Sequence, residues 1–116
     1  MKTFAGKKLG RKSGHRLSLL RQLTEDLFLN EKIKTTVPKA KELVRVAQKV
    51  LTQAKAQNLC ARRRVAAMVS QKSVQKKVFD VLVPRYQARS GGYTQMFLAG
   101  RRLGDAAPVA IVRLIP

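Results

Sequence analysis

The side chains of this sequence that could do chemistry are overwhelmingly cationic. Arg62-Arg63-Arg64 is a run, Lys7-Lys8, Arg11-Lys12 and Arg101-Arg102 are pairs, and the one histidine, His15, stands beside Arg16. Guanidinium and ammonium groups at such density suit phosphate, the first as a planar fork and the second as a point charge. Three consecutive arginines sweep about 200° of a helix. They cannot share one narrow face, and at least two are expected on phosphate.

Other chemistry finds little support. The acids form no evident pair for general acid–base work, so no catalytic set is expected. One histidine and one cysteine make no zinc pattern, and no metal, cofactor or small-molecule substrate is expected. Cys60 follows a helix start beside Arg62–Arg64, a setting that could lower its pKa; a small semi-buried residue is the expectation. His15 is assigned to a phosphate or base contact rather than to a metal or general-base role. Gly91-Gly92-Tyr93-Thr94 lacks the glycine spacing and lysine of a nucleotide loop. It reads as a turn entering a strand, one glycine taking positive φ and Tyr93 packing rather than stacking on a base.

Charge decides the class of partner. The 116 residues carry 25 Lys+Arg against 6 Asp+Glu, a net +19, with 45% apolar residues. That apolar share can build one modest core. Self-repulsion at this charge is relieved by a polyanion, which also releases its counterions. Nucleic acid is the first partner implied. A membrane is not expected, since no apolar run approaches the roughly 18 residues of a spanning helix. The start, basic and without acids, has no long apolar run behind it, so a secretory signal is not expected; an organellar transit segment is the minority reading. Residues 1–13 are read as a basic arm that lies along phosphates, and 14–116 as a single domain.

The elements that position these groups follow from periodicity. A helix is expected over about 14–30, with Ser13 as N-cap and Leu17, Leu20, Leu23, Leu27 and Phe28 as its core stripe. Glu25, Asp26 and Glu31 at its end form the one acid-rich stretch, expected to face away from RNA, toward a basic protein neighbour. Lys32–Val37 is β-prone. Thr36 then caps a helix whose first turn holds Pro38. Its core face is Ala40, Leu43, Val44, Ala47, Val50, Leu51 and Ala54. A third helix is expected over 58–69, with Leu59, Val65, Ala66 and Val69 inward. A fourth runs from Ser73 to Leu82, with Val74, Val78, Val81 and Leu82 inward. It ends or kinks at Val83 because Pro84 disfavours helical geometry there. Tyr93–Ala99 and Pro108–Ile115 read as strands joined by a turn holding Arg101 and Arg102. The last strand is so apolar that cover on both faces is expected. With the Ile33 segment as third strand, the fold class is α+β: a small three-stranded sheet packed on one face by about four helices.

The sequence resembles the family of the seventeenth protein of the bacterial-type large ribosomal subunit. The likeness is carried by Arg11-Lys12-Ser13-Gly14-His15-Arg16, Ile33-Lys34-Thr35-Thr36-Val37-Pro38-Lys39-Ala40-Lys41-Glu42-Leu43 and Ala61-Arg62-Arg63. It continues through Pro84-Arg85-Tyr86, Arg89-Ser90-Gly91-Gly92-Tyr93-Thr94 and Gly104-Asp105-Ala106-Ala107-Pro108. Order and spacing agree over nearly the whole chain. Met1-Lys2-Thr3-Phe4 replaces the family's methionine-arginine-histidine start. Gln95 stands where an arginine is common, and Arg113 where an acid is common. The resemblance implies an α+β domain with a basic extension, bound to large-subunit ribosomal RNA near the nascent-chain exit. It also implies neighbouring ribosomal proteins and no catalytic role. The compartment implied is the bacterial cytoplasm, with a mitochondrial or plastid ribosome as the alternative.

The mechanism expected is architectural: cations neutralise phosphates where RNA helices crowd, holding position more than reading sequence. On the arm side the candidates are Lys7, Lys8, Arg11, Lys12, His15 and Arg16. On the domain they are Lys34, Lys39, Lys41, Arg62, Arg63, Arg101 and Arg102. A DNA-binding helix-turn-helix over 38–69 is the competing class. Against it, the helices are not joined by a short glycine turn, and the cations are spread over the chain. A membrane-active basic protein is a third class, but the apolar faces are better explained by an internal core.

Overall fold

The computed structural model describes residues 13–116. Its elements are α1 (Ser13–Asn30), β1 (Lys32–Thr36), α2 (Val37–Ala54), α3 (Leu59–Met68), α4 (Lys72–Lys77), β2 (Thr94–Arg101) and β3 (Pro108–Leu114). The α+β expectation holds. The sheet is antiparallel with order β1-β3-β2, so the Ile33 segment is an edge strand and β3 is central.

The core forms around α2. Ala40, Leu43, Ala47, Val50, Leu51 and Ala54 are all buried on its inner face, and Val44 is partly so. Thr36 is the N-cap residue and Pro38 lies in the first turn, although the threonine hydroxyl makes no capping bond. Asn58 does cap α3, its Oδ1 accepting from Ala61 N–H at 2.8 Å. Within α3, Ala61 and Val65 are buried while Leu59 and Ala66 are exposed. The inward stripe is thus rotated from the expected one. Val69, just past the helix, is buried as expected.

On α1, Leu20, Leu27 and Phe28 are buried and Leu23 packs against them, but Leu17 lies a turn beyond the core and is 43% exposed. Thr24 joins the buried face, its hydroxyl satisfied by the Leu20 carbonyl at 2.7 Å. The helix already includes Ser13, so the cap position falls outside the described residues. Its other end stops abruptly at Glu31, which has φ 63 and donates its N–H to Leu27 O at 2.7 Å. This is a left-handed C-terminal cap without the usual glycine.

The helix does not end at Val83. Beyond α4 the chain continues through a π-helical turn, Val78–Leu82, and a last turn, Val83–Arg85. Val83 keeps helical angles, φ −61 and ψ −49, and its N–H reaches Val78 O five residues back. In a regular α-helix the proline ring would press on the carbonyl four residues earlier. The wider turn admits Pro84 without ending the rod. Val74, Val78, Leu82 and Val83 are buried; Val81 is 43% exposed, displaced from the inner stripe by the wider turn.

Beyond the rod, Tyr86 and Tyr93 are both buried, ring centroids 5.3 Å apart. The Tyr86 hydroxyl donates to Ile115 O. Burial raises the Tyr86 phenol above its ordinary value. Tyr93 therefore packs, and the turn before it places Gly92 at φ +64. The helices cover one face of the sheet only. In the register Ile33↔Val112↔Met96 and Thr35↔Ala110↔Leu98, the central Ala110 and Val112 sit in the core. The alternate rows, Lys32↔Arg113↔Gln95 and Lys34↔Ile111↔Phe97, form the other face. Phe97 is 47% exposed there and Ile111 and Arg113 are partly exposed. Cover on that side of β3 is thus partial: Val109, in the same alternation, is buried, while Ile111 and Arg113 are only partly so.

Candidate nucleic-acid interface

Three open grooves, each rimmed by cations from separate segments, lie on the domain. The first joins Lys34 of β1, Lys39 in the first turn of α2, and Arg101 and Arg102 at the end of the β2–β3 hairpin. Thr35, Thr36, Leu103 and Val109 complete its walls. These four cations span 69 positions of sequence, from 34 to 102, and the sheet brings them together because β3 carries the hairpin back alongside β1.

The second groove runs between α3 and α4. Arg62 and Arg63 face Lys72 and Lys76 across it, with Phe79 and Asp80 at its side. The Arg62 guanidinium sits 4.5 Å from the centroid of Phe79, whose ring holds it in place. The third groove takes Arg64, the remaining arginine of the run, together with Arg21 of α1 and Lys49 of α2. The arginine run is therefore divided between two faces, as its angular sweep requires. All three arginines are exposed. Sequence reasoning missed Lys72 and Lys76, although their four-residue spacing on a helix was a usable signal. Nothing local announces Arg21 and Lys49, which meet Arg64 only through packing of three helices.

Of the other expected site residues, His15 is exposed and Arg16 partly buried, both in the first turn of α1. Lys41 is exposed on α2 and lines none of the three grooves. Lys7, Lys8, Arg11 and Lys12 lie outside the described residues. Cys60 is exposed, not semi-buried, because the inward position of that turn is taken by Ala61.

Three of the six acids are tied into the fold. Glu25 is buried, and one of its oxygens accepts both the backbone N–H and the hydroxyl of Ser70, each at 2.8 Å. Glu31 bridges Arg85 at 2.5 Å and Lys77 at 3.1 Å. The bond from Arg85, seconded by Lys77, holds its carboxyl below the usual carboxylate range. Lys77 also donates to Leu29 O, one of the last carbonyls of α1, at 2.9 Å. Glu42 is buried on α2 with Arg45 at 3.5 Å. The stretch expected to face a basic protein neighbour is thus mostly an internal clamp between α1 and the chain from Ser70 to Arg85. Only Asp26 of that stretch is without such a role in the clamp. Asp105 pairs with Arg102 at 2.6 Å in the hairpin turn. Its carboxyl is drawn down to about 2, first by Arg102 and then by the Ala107 N–H.

Among the described residues no cluster of His, Cys, Asp or Glu could hold a metal ion, and no helix is long and apolar enough to cross a membrane. What the surface offers is an excess of fixed positive charge, with Glu25 and Glu42 buried and Asp80 and Asp105 exposed beside cations of two of the grooves, an arrangement that can bind polyanions.

Comparison with known proteins agrees with this geometry. The family model described as Ribosomal protein L17 matches residues 19–115. A large ribosomal subunit protein bL17 from Endomicrobium trichonymphae is 53% identical over 115 residues, covering 99% of this chain and 98% of that one. The bL17 protein of Pelobacter propionicus is 45% identical over 96% of this chain and 87% of its own length. That of Caldanaerobacter subterraneus is 45% identical over 94% and 97% respectively. The match takes in the strand, helix and hairpin segments that build all three grooves, and on that breadth the chain belongs to the ribosomal protein L17 family.

Proposed function

We propose that this chain is a structural, non-enzymatic constituent of the large ribosomal subunit that holds ribosomal RNA by neutralising phosphates. Membership of the L17 family supports the structural role. The relatives are bacterial, which favours a ribosome in the bacterial cytoplasm over the mitochondrial or plastid alternative. The observation that carries RNA binding is the separation of charge: cations from distant segments converge on three grooves while Glu25, Glu31 and Glu42 are bonded within the fold.

In this reading Lys34, Lys39, Arg101 and Arg102 grip one stretch of RNA backbone, and Arg62 and Arg63 with Lys72 and Lys76 a second. Residues 1–13 are a basic arm that follows a groove the folded domain, 14–116, cannot enter, with Lys7, Lys8, Arg11 and Lys12 on phosphate and His15 and Arg16 at its root. Lys41 adds a peripheral contact. Neighbouring ribosomal proteins complete the surroundings, on the nascent-chain exit side of the subunit.

The test is binding to magnesium-folded ribosomal RNA across a salt series, with random duplex DNA alongside. Neutralising on the order of ten phosphates gives a log–log slope of roughly −7 to −9. A slope near zero, or equal affinity for the DNA, would overturn the proposal.

A further inference from the structure

Among the described residues, the sheet face turned away from the helices leaves Lys32, Lys34 and Phe97 exposed, and its chemistry is specific. Register places Lys32, Arg113 and Gln95 in one row across the three strands and Lys34, Ile111 and Phe97 in the next. Adjacent strands are about 4.8 Å apart, and rows two residues apart about 7 Å. Three cations and one half-exposed aromatic ring therefore share a patch the size of a nucleotide or two, with no acid in either row.

Gln95 and Arg113 are directly opposed, and the Arg113 Nε–H donates to Gln95 Oε1 at 2.8 Å. The bond ties the two strands together and brings no acid to the face. The Arg113 guanidinium also lies 5.3 Å from the centroid of Phe97. It is held at the ring by this contact and by Gln95, and its two terminal amino groups make no other bond among the described residues.

We propose that this face is a stacking platform for an unpaired nucleotide of RNA: Phe97 takes the base, and Arg113, Lys34 and Lys32 take the flanking phosphates. The proposal rests on the RNA-binding reading above and sharpens it to a ligand and a place. Charge complementarity selects the occupant. A protein seated on Phe97 must also neutralise three cations, whereas an unpaired nucleotide brings an aromatic face and the phosphates together. A-form duplex hides its base faces, so only a splayed-out base can use the ring. The face adjoins the groove of Lys34, Lys39, Arg101 and Arg102 through the shared Lys34, so the strand leaving the platform has a continuous cationic path.

The test compares a nine-nucleotide oligoadenylate with an RNA duplex of equal length, binding the full chain at fixed moderate salt. Phe97→Ala and Phe97→Leu are expected to weaken the oligoadenylate about 5- to 100-fold, the loss of one base–aromatic stack, and to leave the duplex unchanged. Phe97→Tyr keeps parental affinity. The leucine variant preserves apolar volume, so an alanine variant that misfolds does not obscure the result. Ultraviolet crosslinking of the oligoadenylate should mark the β2 peptide carrying Phe97. If both RNAs bind the parent and the alanine and leucine variants weaken neither, or both equally, the platform is refuted while RNA binding stands. If the parent binds neither, the underlying RNA-binding reading fails. If the leucine variant binds both RNAs normally yet is missing from large subunits assembled in cells, the face belongs to a protein neighbour and the proposal is overturned.

Discussion

Gly92 is the position where a single added methyl group separates backbone strain from packing. Its φ of +64 lies in the left-handed region, and a Cβ built there meets nothing within 4 Å. The cost of adding a Cβ there is therefore conformational and not steric. A β-branched residue forced into this region costs about 1–3 kcal/mol. Gly91 provides the internal control: it too has open space around its Cβ, and its φ is not in the left-handed region. Gly92→Val should lower the melting temperature by about 5–20 °C, at about 4–8 °C per kcal/mol for a domain of this size. Gly91→Ala should leave it unchanged or raise it slightly, since alanine narrows the unfolded ensemble. Gly92→Asn should fall between, because asparagine tolerates the left-handed region. The assay is thermal unfolding followed by circular dichroism. Equal melting of Gly92→Val and the parent would refute the strain argument. The turn also feeds β2, whose register sets which side chains face the open side of the sheet, so the same variant should weaken oligoadenylate binding if the strand entry shifts.

Two further outcomes are expected. Glu31→Gln should destabilise the domain by about 1 kcal/mol at neutral pH, a figure kept low because the site is partly solvated and the pairs are screened. The Glu31 carboxyl is lowered in the folded state, so its stabilisation is present above the ordinary value of about 4.3 and is lost as pH falls through the lower folded value. The melting difference between variant and parent should shrink toward zero in acid; a difference constant from pH 7 to 3 would assign the effect to the left-handed cap instead. Deleting residues 1–12 removes Lys2, Lys7, Lys8, Arg11 and Lys12, five of the 25 cations, and only Phe4 and Leu9 as large apolar groups beyond Met1. The truncated chain should melt like the parent, while the salt slope of RNA binding flattens by roughly four units; failure to fold, or undiminished RNA binding, would each refute one half of the arm hypothesis.

Local periodicity was a sound guide where one face of one element decides the outcome. The α2 stripe, the Thr36-Val37-Pro38 entry, the Asn58 start of α3 and the two strands around the Arg101-Arg102 hairpin all follow from spacing and turn chemistry. Misreadings fall where a distant partner overrides the local rule. Pro84 continues a helix because a π turn upstream makes room for its ring. Leu59 and Ala66 face outward because the helix rotates to bury Ala61 and Val65. Glu25 is buried and Glu31 is paired within the fold because Ser70, Lys77 and Arg85 reach back to them from about 45–54 residues away. The cations of the candidate site were visible as residues but not as grooves. The separation of Arg64 from Arg62 and Arg63 was implied by helix geometry, yet its meeting with Arg21 and Lys49 depends on packing alone. Gln95 and Arg113 looked like two unrelated departures until the β2–β3 register set them opposite each other.

The strand order carries a consequence for how the chain is made. β3 follows both β1 and β2 in sequence, yet it is the strand that each of them pairs with. During synthesis the helices can form and begin to collapse as they emerge, but neither edge strand has a neighbour until β3 is available. Lys32 must then find Arg113 across 80 intervening positions, a contact whose loop-closure cost is met late. The sheet, and every surface built on it, therefore arises in one final step, after the groove between α3 and α4 can already have taken shape. An RNA that engages Arg62 and Arg63 early would meet a half-folded protein, and the closing of β3 would then complete the remaining grip in place.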